Sequence, residues 1–347
     1  MDKAQRDKKI NDTVMAMAKE PKNAAHYHEL AELYLEEGNY DKVMSVLESL
    51  LAVNKDDVKG LIGLGTMWFY EKDYRKSLSF YNRALELNPK NYLIYYNIGN
   101  VFAEWKNFDK ALFYYNRAID LNSTNPEIYN AIALLYNDHE DYVESKAYYE
   151  RALSLDPENI TALIDMGNVC FKLLDYETAL ELYKKVFVLN PDNKIVAICI
   201  GNTYALMKDK ESAYSYFEKA LTMEGDNYKA YICYAIALSE FKEYDMAVEM
   251  YKRAISYDED ETEAQTLLAN LYTNFGKIDM AMELYKSVLH KKPNNPEAYM
   301  LLGNAHYLNG EIEAAIGAYK SAINISPEND EYKLIYMQVV TEYADMK

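Results

Sequence analysis

The dominant feature of this sequence is an internal repeat, because the chain matches itself when it is shifted by 34 residues. Nine consecutive blocks of this length run from Ala24 to Asn329 without an insertion or a deletion. The eighth position of every block is glycine or alanine, and the twenty-fourth position is tyrosine in seven of them. A period of this size is typical of solenoids, in which each unit stacks on its neighbours.

Each block contains two stretches in which apolar residues recur every three or four positions, as on the buried face of a helix. In the second block these stretches are Val58–Glu71 and Tyr74–Leu87. The small residue at the eighth position lets two helices approach closely, and the tyrosine at the twenty-fourth supplies a large side chain that packs between units. Proline near the end of five blocks separates one helix pair from the next. The sequence therefore predicts an all-α chain of stacked helix pairs.

The composition excludes several other classes of protein. Half of the 347 residues are apolar, which argues against a disordered acidic chain, and the low counts of 12 glycines and 8 prolines argue against a turn-rich β protein. The net charge of −18 predicts that the chain does not bind nucleic acid, because it repels phosphate groups. No apolar stretch approaches the roughly 18 residues that a membrane-spanning helix needs.

The location predicted from the sequence is the cytoplasm. Three cysteines cannot form a fully paired disulfide framework, which favours a reducing compartment. Cys199 and Cys233 lie one block apart, at a predicted separation of about 10 Å that is too great for a disulfide. The apolar patch from Val14 to Ala18 is too short for the core of a secretory signal.

The sequence contains no motif that predicts catalysis. It lacks the phosphate-binding loop, the nucleophile elbow and the spaced cysteine or histidine pairs of metal sites. We therefore predict a non-enzymatic protein with no cofactor and no metal ion. His26 and His28 lack a third ligand and are interpreted as structural side chains. The acidic runs at 138–141 and 257–261 lack the alternating ligands of a calcium loop and are interpreted as solvated turns.

The blocks resemble the tetratricopeptide repeat family, whose 34-residue pattern places aromatic, small and proline residues at set offsets. The third block shows most of that pattern, in Tyr95, Ile98, Gly99, Phe102, Ala111, Tyr115 and Ala118. Ser123 replaces the family's proline in this block, and the first block departs further, with Val43 and Leu47 in the small and aromatic columns. The resemblance implies a right-handed α-solenoid, a superhelix of antiparallel helix pairs with a concave groove.

A solenoid of this kind needs a polar cap at each end, because its terminal units have only one neighbour. Residues 1–23 are predicted to form an N-terminal capping helix, residues 24–329 the nine repeats, and residues 330–347 a C-terminal capping helix. The segment from Ile335 to Val340 is apolar enough for the last helix to dock on a second copy of the chain. Self-association through the terminal helices is therefore an alternative function.

The resemblance places the partner-binding surface on the first helix of each pair, at the second, fifth, ninth, twelfth and thirteenth positions of a block. The ninth position is asparagine in five blocks, and an asparagine amide can both donate to and accept from a peptide backbone. The same asparagines also fit a purely structural role in the scaffold. The candidate partner-binding residues on this concave face are Asn100, Asn168, Asn202, Asn270, Asn304, Ile62, Phe69, Tyr70, Tyr96, Ile164, Phe171 and Tyr307.

The predicted groove is acidic, with eight glutamates or aspartates against three lysines at these positions. A protein or peptide that carries apolar and some basic residues fits such a surface. The fifth and sixth columns contain no lysine, so the lysine-based clamp with which family members hold the C-terminal carboxylate of chaperones is absent. The predicted function is a scaffold that binds a peptide segment of a partner protein in its groove. The alternative is a self-assembling or structural subunit of a larger complex whose activity lies on another chain.

Overall fold

The structure is a computed structural model that describes residues 3–257 and 262–345. Within those ranges the chain forms helices and short turns, with no β-strand. Its residue contacts divide it into two compact units, one ending at Asp175 and the other beginning at Tyr176. None of the described helices is both long and apolar enough to cross a membrane.

The first unit contains ten helices. They are α1 (Lys3–Lys19), α2 (Ala24–Glu36), α3 (Tyr40–Val53), α4 (Val58–Tyr70), α5 (Tyr74–Leu87), α6 (Tyr92–Glu104), α7 (Phe108–Leu121), α8 (Pro126–Asp138), α9 (Tyr142–Leu155) and α10 (Ile160–Lys172). From α2 onward they alternate between the first and the second helix of a repeat. Each helix packs on the next along the chain, and α6 also contacts the first helices α4 and α8.

The second unit contains the other ten helices of the described residues. They are α11 (Tyr176–Leu189), α12 (Lys194–Leu206), α13 (Lys210–Thr222), α14 (Tyr228–Glu240), α15 (Tyr244–Tyr257), α16 (Glu263–Asn274), α17 (Ile278–Lys291), α18 (Pro296–Leu308), α19 (Ile312–Ile325) and α20 (Asp330–Asp345). Consecutive helices pack on one another here too. The predicted end caps correspond to α1 and α20, and their capping role stays a prediction. Positions 258–261 of the acidic run lie outside the described residues.

Many of the repeat helices begin after an asparagine or aspartate whose side chain caps the first turn. Oδ1 of Asp57 accepts a hydrogen bond from the backbone N–H of Gly60 at 2.8 Å, at the start of α4. Oδ1 of Asn107 accepts from the backbone N–H of Lys110 at 3.2 Å, at the start of α7. These bonds satisfy amide groups that the first turn of a helix leaves unpaired. The caps therefore help to fix where the two helices of a pair begin.

The first helix of a repeat ends in a residue with left-handed backbone geometry. This position recurs every 34 residues and is glycine in three repeats, at Gly38, Gly276 and Gly310. It is not glycine at Lys72, Lys106, Glu140, Leu174, Lys208 and Lys242. After Lys106, which has a φ of 56°, the N–H of Asn107 donates to the carbonyl of Phe102 at 2.8 Å. That bond closes the helix and turns the chain back toward the second helix.

The two helices of a pair meet where the small column faces the tyrosine column. A Cβ atom added to Gly99 would lie 2.5 Å from the ring of Tyr115, and one added to Gly303 would lie 2.5 Å from the ring of Tyr319. Both rings are fully buried. Since a carbon at that distance would overlap the ring, glycine is what permits this approach. The close approach predicted from the small column is confirmed.

Candidate functional site

A cavity of about 530 Å³ opens on the first helices of the first unit. Helices α4, α6, α8 and α10 all contribute lining residues. The apolar part of the lining includes Phe69, Tyr96, Ala103, Ala131 and Leu134. Leu134 is 45% exposed. The cavity therefore presents an open apolar surface to solvent.

The polar part of the lining is acidic. Its carboxylates belong to Glu104, Glu127, Asp138 and Asp165, and no lysine or arginine lines the cavity. The Nζ atom of Lys106 lies 3.3 Å from Asp138, in an ion pair whose two side chains are exposed. Among the described residues the other three carboxylates form no ion pair. The site therefore carries negative charge that no ion pair of the described residues neutralises.

One of these carboxylates, Asp165, is partly buried. Burial raises the pKa of its carboxyl group above the usual value, because the charged form loses hydration there. The charges of Asp165 and Asp138 also act on Tyr149, whose pKa is raised mainly by burial. The Tyr149 hydroxyl is thus coupled electrostatically to two of the acidic groups that line the cavity.

Three asparagines of the ninth column accept a hydrogen bond from the tyrosine of their own repeat. The Tyr115 hydroxyl donates to Oδ1 of Asn100 at 2.8 Å. Two equivalent bonds in the second unit join Tyr285 to Asn270 at 2.6 Å and Tyr319 to Asn304 at 2.8 Å. A buried hydroxyl without a partner costs free energy, so each asparagine stabilises the tyrosine that fills the space between helices.

The fourth repeat breaks this pairing. Leu134 stands where the other repeat has Asn100, and it cannot accept a hydrogen bond from Tyr149. The Tyr149 side chain is 1% exposed, and its hydroxyl has no hydrogen-bond partner among the described residues. Oδ1 of Asn130, one turn before Leu134 on α8, is also buried and unpaired within the described structure. Two buried polar groups are therefore left unsatisfied beside the acidic cavity.

The structure brings three of the candidate residues in the first unit together. Phe69, Tyr96 and Asn100 line the same cavity. Ile62 lies in a separate depression of about 260 Å³ between α2 and α4. Tyr70 is 62% exposed, and its ring centroid lies 6.2 Å from that of Tyr40.

The remaining candidates of the first unit are on α10. Ile164 and Phe171 are half-buried and Asn168 is exposed, and none of them lines the cavity. Some of the residues that the sequence predicts for the groove surface thus line the cavity, and the others lie outside it.

The candidates in the second unit are engaged with neighbouring side chains. Asn202 contacts the thiol of Cys233 and lowers its pKa, while burial raises that pKa. Asn270 and Asn304 accept from the tyrosines described above. The Tyr307 hydroxyl donates to Glu342 of α20 at 2.7 Å, and this bond raises the pKa of Tyr307. These side chains hold the unit together, whatever else they contact.

Several residues at or beside the cavity were not among the twelve sequence-derived candidates, including Asn130, Asp165 and Tyr149. Asn130 stands at the fifth position of its block, which the family register assigns to the groove. Asp165 occupies the sixth column, where the later repeats carry cysteine or leucine. A carboxyl group in this column was the sequence feature that could have indicated Asp165 as part of the site. Tyr149 could have been found from Leu134, because the leucine removes the hydrogen-bond acceptor that its tyrosine needs.

The histidines considered above have partners of their own. Nε2 of His26 lies 3.2 Å from Oε2 of Glu20, and Nε2 of His28 lies 3.1 Å from Oδ1 of Asp57. Among the described residues, no group of three His, Cys, Asp or Glu side chains has the geometry to hold a metal ion. The three cysteines are free thiols, and burial raises the pKa of Cys170 and of Cys199 to about 11.

Family models described as tetratricopeptide repeat match residues 25–57, 92–125, 126–159, 204–271 and 274–336, together more than half of the chain. The chain belongs to the tetratricopeptide repeat family. The fold predicted from the 34-residue period is therefore confirmed as that of a tetratricopeptide repeat solenoid, built from consecutive helix pairs. Comparison with curated proteins found no match.

Solved structures of the same architecture resemble this tetratricopeptide repeat protein. Yeast Tom70 aligns with a TM-score of 0.58 at 15% identity, covering 98% of this chain and 93% of Tom70. PilF of Pseudomonas aeruginosa aligns with a TM-score of 0.51 at 19% identity, covering 61% of this chain and 97% of PilF. A repeat protein of Parabacteroides merdae gives 0.51 at 19% identity, covering 72% and 98%. Likeness at these identities establishes the fold.

Proposed function

We propose that this tetratricopeptide repeat protein is a non-catalytic scaffold that binds a segment of a partner protein along the first helices α4, α6, α8 and α10. The observation that carries the proposal is the open cavity that these four helices line. A cavity spanning successive repeats suits an extended segment, because each repeat presents the same few positions at a regular spacing. Phe69, Tyr96 and Leu134 supply the apolar contacts from which most binding energy comes.

The asparagine column contributes to this proposal in a narrower way. Because Oδ1 of Asn100 already accepts from Tyr115, the amide group of Asn100 is oriented by its own repeat. A side chain that is held in place loses little conformational entropy on binding. The proposed role of Asn100 is therefore to keep the cavity wall rigid.

Site-specific photo-crosslinking tests the proposal. A photoreactive residue replaces Leu134 in the cavity, and the matched control replaces Val143, which is 65% exposed on the second helix α9 of the same repeat. We expect position 134 to crosslink to one discrete segment of a partner from a cell extract and position 143 not to do so. Equal crosslinking from both positions would show that the cavity is not the binding surface.

A second candidate function is self-association, and one observation favours it. Helix α20 exposes two large apolar side chains, Leu334 at 69% and Met337 at 64%. Apolar groups exposed together on one helix favour docking on another surface. Sedimentation velocity over a hundredfold range of concentration tests it, with Leu334→Lys as the variant. A concentration-independent monomer would exclude this candidate.

A further inference from the structure

The acidic cavity has a surplus of hydrogen-bond acceptors. Its lining supplies the carboxylates of Glu104, Glu127 and Asp165, none of which is ion-paired within the described residues. The buried Oδ1 of Asn130 is an additional acceptor without a donor. No lysine or arginine of the lining offers N–H groups to them. A ligand that satisfies this wall must bring several donors and a positive charge.

The Tyr149 hydroxyl is a separate observation that points the same way. It is fully buried and unpaired among the described residues, and both Asp138 and Asp165 act on it electrostatically. One repeat earlier, the equivalent hydroxyl of Tyr115 is aimed at the ninth position of its block and finds Asn100 there. By the same register Tyr149 is aimed at Leu134, a lining residue. A polar group buried without a partner is uncommon, and an external donor would satisfy it.

The apolar part of the cavity adds a requirement on the size and shape of the ligand. Leu134 and Ala131 lie on the same helix as Asn130 and Glu127, so an apolar strip runs beside the acceptors. Lysine and arginine combine a charged head with a stem of methylene groups that packs on apolar surfaces. The aromatic ring of Tyr96, in the same cavity, also attracts cations.

We propose that this cavity takes a lysine or arginine side chain from the bound partner segment. The cationic head lies among Glu127, Asp165 and Asn130, and the stem packs on Leu134. The inference rests on the proposed function, since it names the partner residue that the cavity selects. It gives the scaffold a preference for a basic residue set between apolar ones.

Four pentapeptides test the inference directly. The probe is acetyl-Ala-Leu-Lys-Leu-Ala-amide, and its analogues carry arginine, norleucine or glutamate at the centre. Norleucine keeps the stem of lysine and removes its charge. Binding is followed by the NMR shifts of the Ala131 and Leu134 methyl groups during titration. We expect the lysine and arginine peptides to bind at least about tenfold more tightly than the norleucine peptide, and the glutamate peptide to bind most weakly.

Variants assign the preference to the cavity. Asp165→Asn and Glu127→Gln each preserve shape while removing a charge, and we expect each to reduce the lysine-over-norleucine ratio at least about threefold. Glu150→Gln, at an exposed position on α9, is the matched control and should leave the ratio unchanged. Circular dichroism establishes that all variants are folded. The inference is overturned if the lysine and norleucine peptides bind the parent protein with nearly equal affinity. It is also overturned if the lysine-over-norleucine ratio is unchanged in the Asp165→Asn and Glu127→Gln double variant.

The outcome is separable from that of the proposed function. If position 134 crosslinks to a partner segment that carries no lysine or arginine near the crosslinked residue, the scaffold function stands and this inference fails. If the lysine peptide shifts neither methyl group at millimolar concentration, the inference also fails. If position 134 crosslinks no more than position 143, the proposed function fails, whatever the pentapeptides do.

Discussion

The hydroxyl of Tyr115 and the amide oxygen of Asn100, which lie fifteen residues apart on the two helices of the third repeat, are joined by a 2.8 Å hydrogen bond. In the fourth repeat Tyr149 occupies the equivalent position, Leu134 replaces the asparagine, and the Tyr149 hydroxyl has no hydrogen-bond partner among the described residues. The chain thus contains two equivalent buried tyrosines that differ in one hydrogen bond. Their comparison isolates what that bond contributes to stability.

We predict that Tyr115→Phe lowers the free energy of unfolding by about 1 kcal/mol, because it removes a satisfied hydrogen bond and leaves Oδ1 of Asn100 without its donor. Tyr149→Phe removes an unpaired hydroxyl and is expected to be neutral or stabilising by about 1 kcal/mol. Urea denaturation of the two variants measures both values. Similar destabilisation by the two substitutions would contradict this account of the pair.

The close approach of Gly99 to Tyr115 predicts an effect of adding one methyl group. Gly99→Ala would place Cβ 2.5 Å from the ring and force it to move, at a net cost of about 1–2 kcal/mol. Gly317, in α19, is the control because no atom lies within 4 Å of an added Cβ there. Gly317→Ala should instead stabilise by about 0.5–1 kcal/mol through helix propensity. If thermal denaturation shows that both substitutions raise stability, or that both lower it, the packing argument is refuted.

The left-handed position that ends each first helix predicts a stabilising substitution. Lys72 has a φ of 60°, a conformation that costs a side chain about 1–2 kcal/mol and costs glycine almost nothing. After allowance for the greater freedom of glycine in the unfolded chain, Lys72→Gly should raise the free energy of unfolding by roughly 0.5–1 kcal/mol. Lys252→Gly, in the middle of α15, should lower it by a similar amount. A loss of stability in both variants would count against this interpretation.

Asp165 predicts a pH dependence. Because burial raises the pKa of this carboxyl group, its ionised form lowers the free energy of unfolding at neutral pH. This destabilisation is lost as the pH falls through the raised pKa toward the ordinary value of 3.8. Glu127 and Asp138 of α8 line the same cavity, and the charge of Asp165 acts on Tyr149. Asp165→Asn should therefore raise the melting temperature at pH 7 and have little effect near pH 4.

Glu150→Gln is the control for this measurement, since Glu150 is exposed on α9. It should shift the melting temperature little at either pH. A stabilisation by Asp165→Asn that is as large at pH 4 as at pH 7 would show that the charge of Asp165 is not its cause.

The fold was predictable because its determinants are local and repeated. The three- and four-residue spacing of apolar residues predicted both helices of the second repeat, at Val58–Glu71 and Tyr74–Leu87. The structure places them at Val58–Tyr70 and Tyr74–Leu87. The left-handed lysines were not predicted, since lysine carries no signal for that geometry. Their position follows from the register, because it aligns with Gly38, Gly276 and Gly310.

The site was predictable only in part. The family register indicated the first helices, and it included Phe69, Tyr96 and Asn100 of the cavity. It could not indicate that Asn100 is held by Tyr115, because that bond depends on side-chain orientation across two helices. The register also did not indicate Asp165, because its column is not one of those assigned to the groove. Asp165 matters because its carboxyl group is partly buried in a cavity that other carboxylates line.

The side-chain hydrogen bonds between helices described above join residues that are near one another along the chain. Tyr115 reaches Asn100 fifteen residues away, and Tyr307 reaches Glu342 thirty-five residues away. Separations of this size give a 347-residue protein a low relative contact order, which is associated with rapid folding. A helix pair can therefore reach its native contacts while later repeats are still being synthesised, and damage to one repeat is felt mainly by its neighbours.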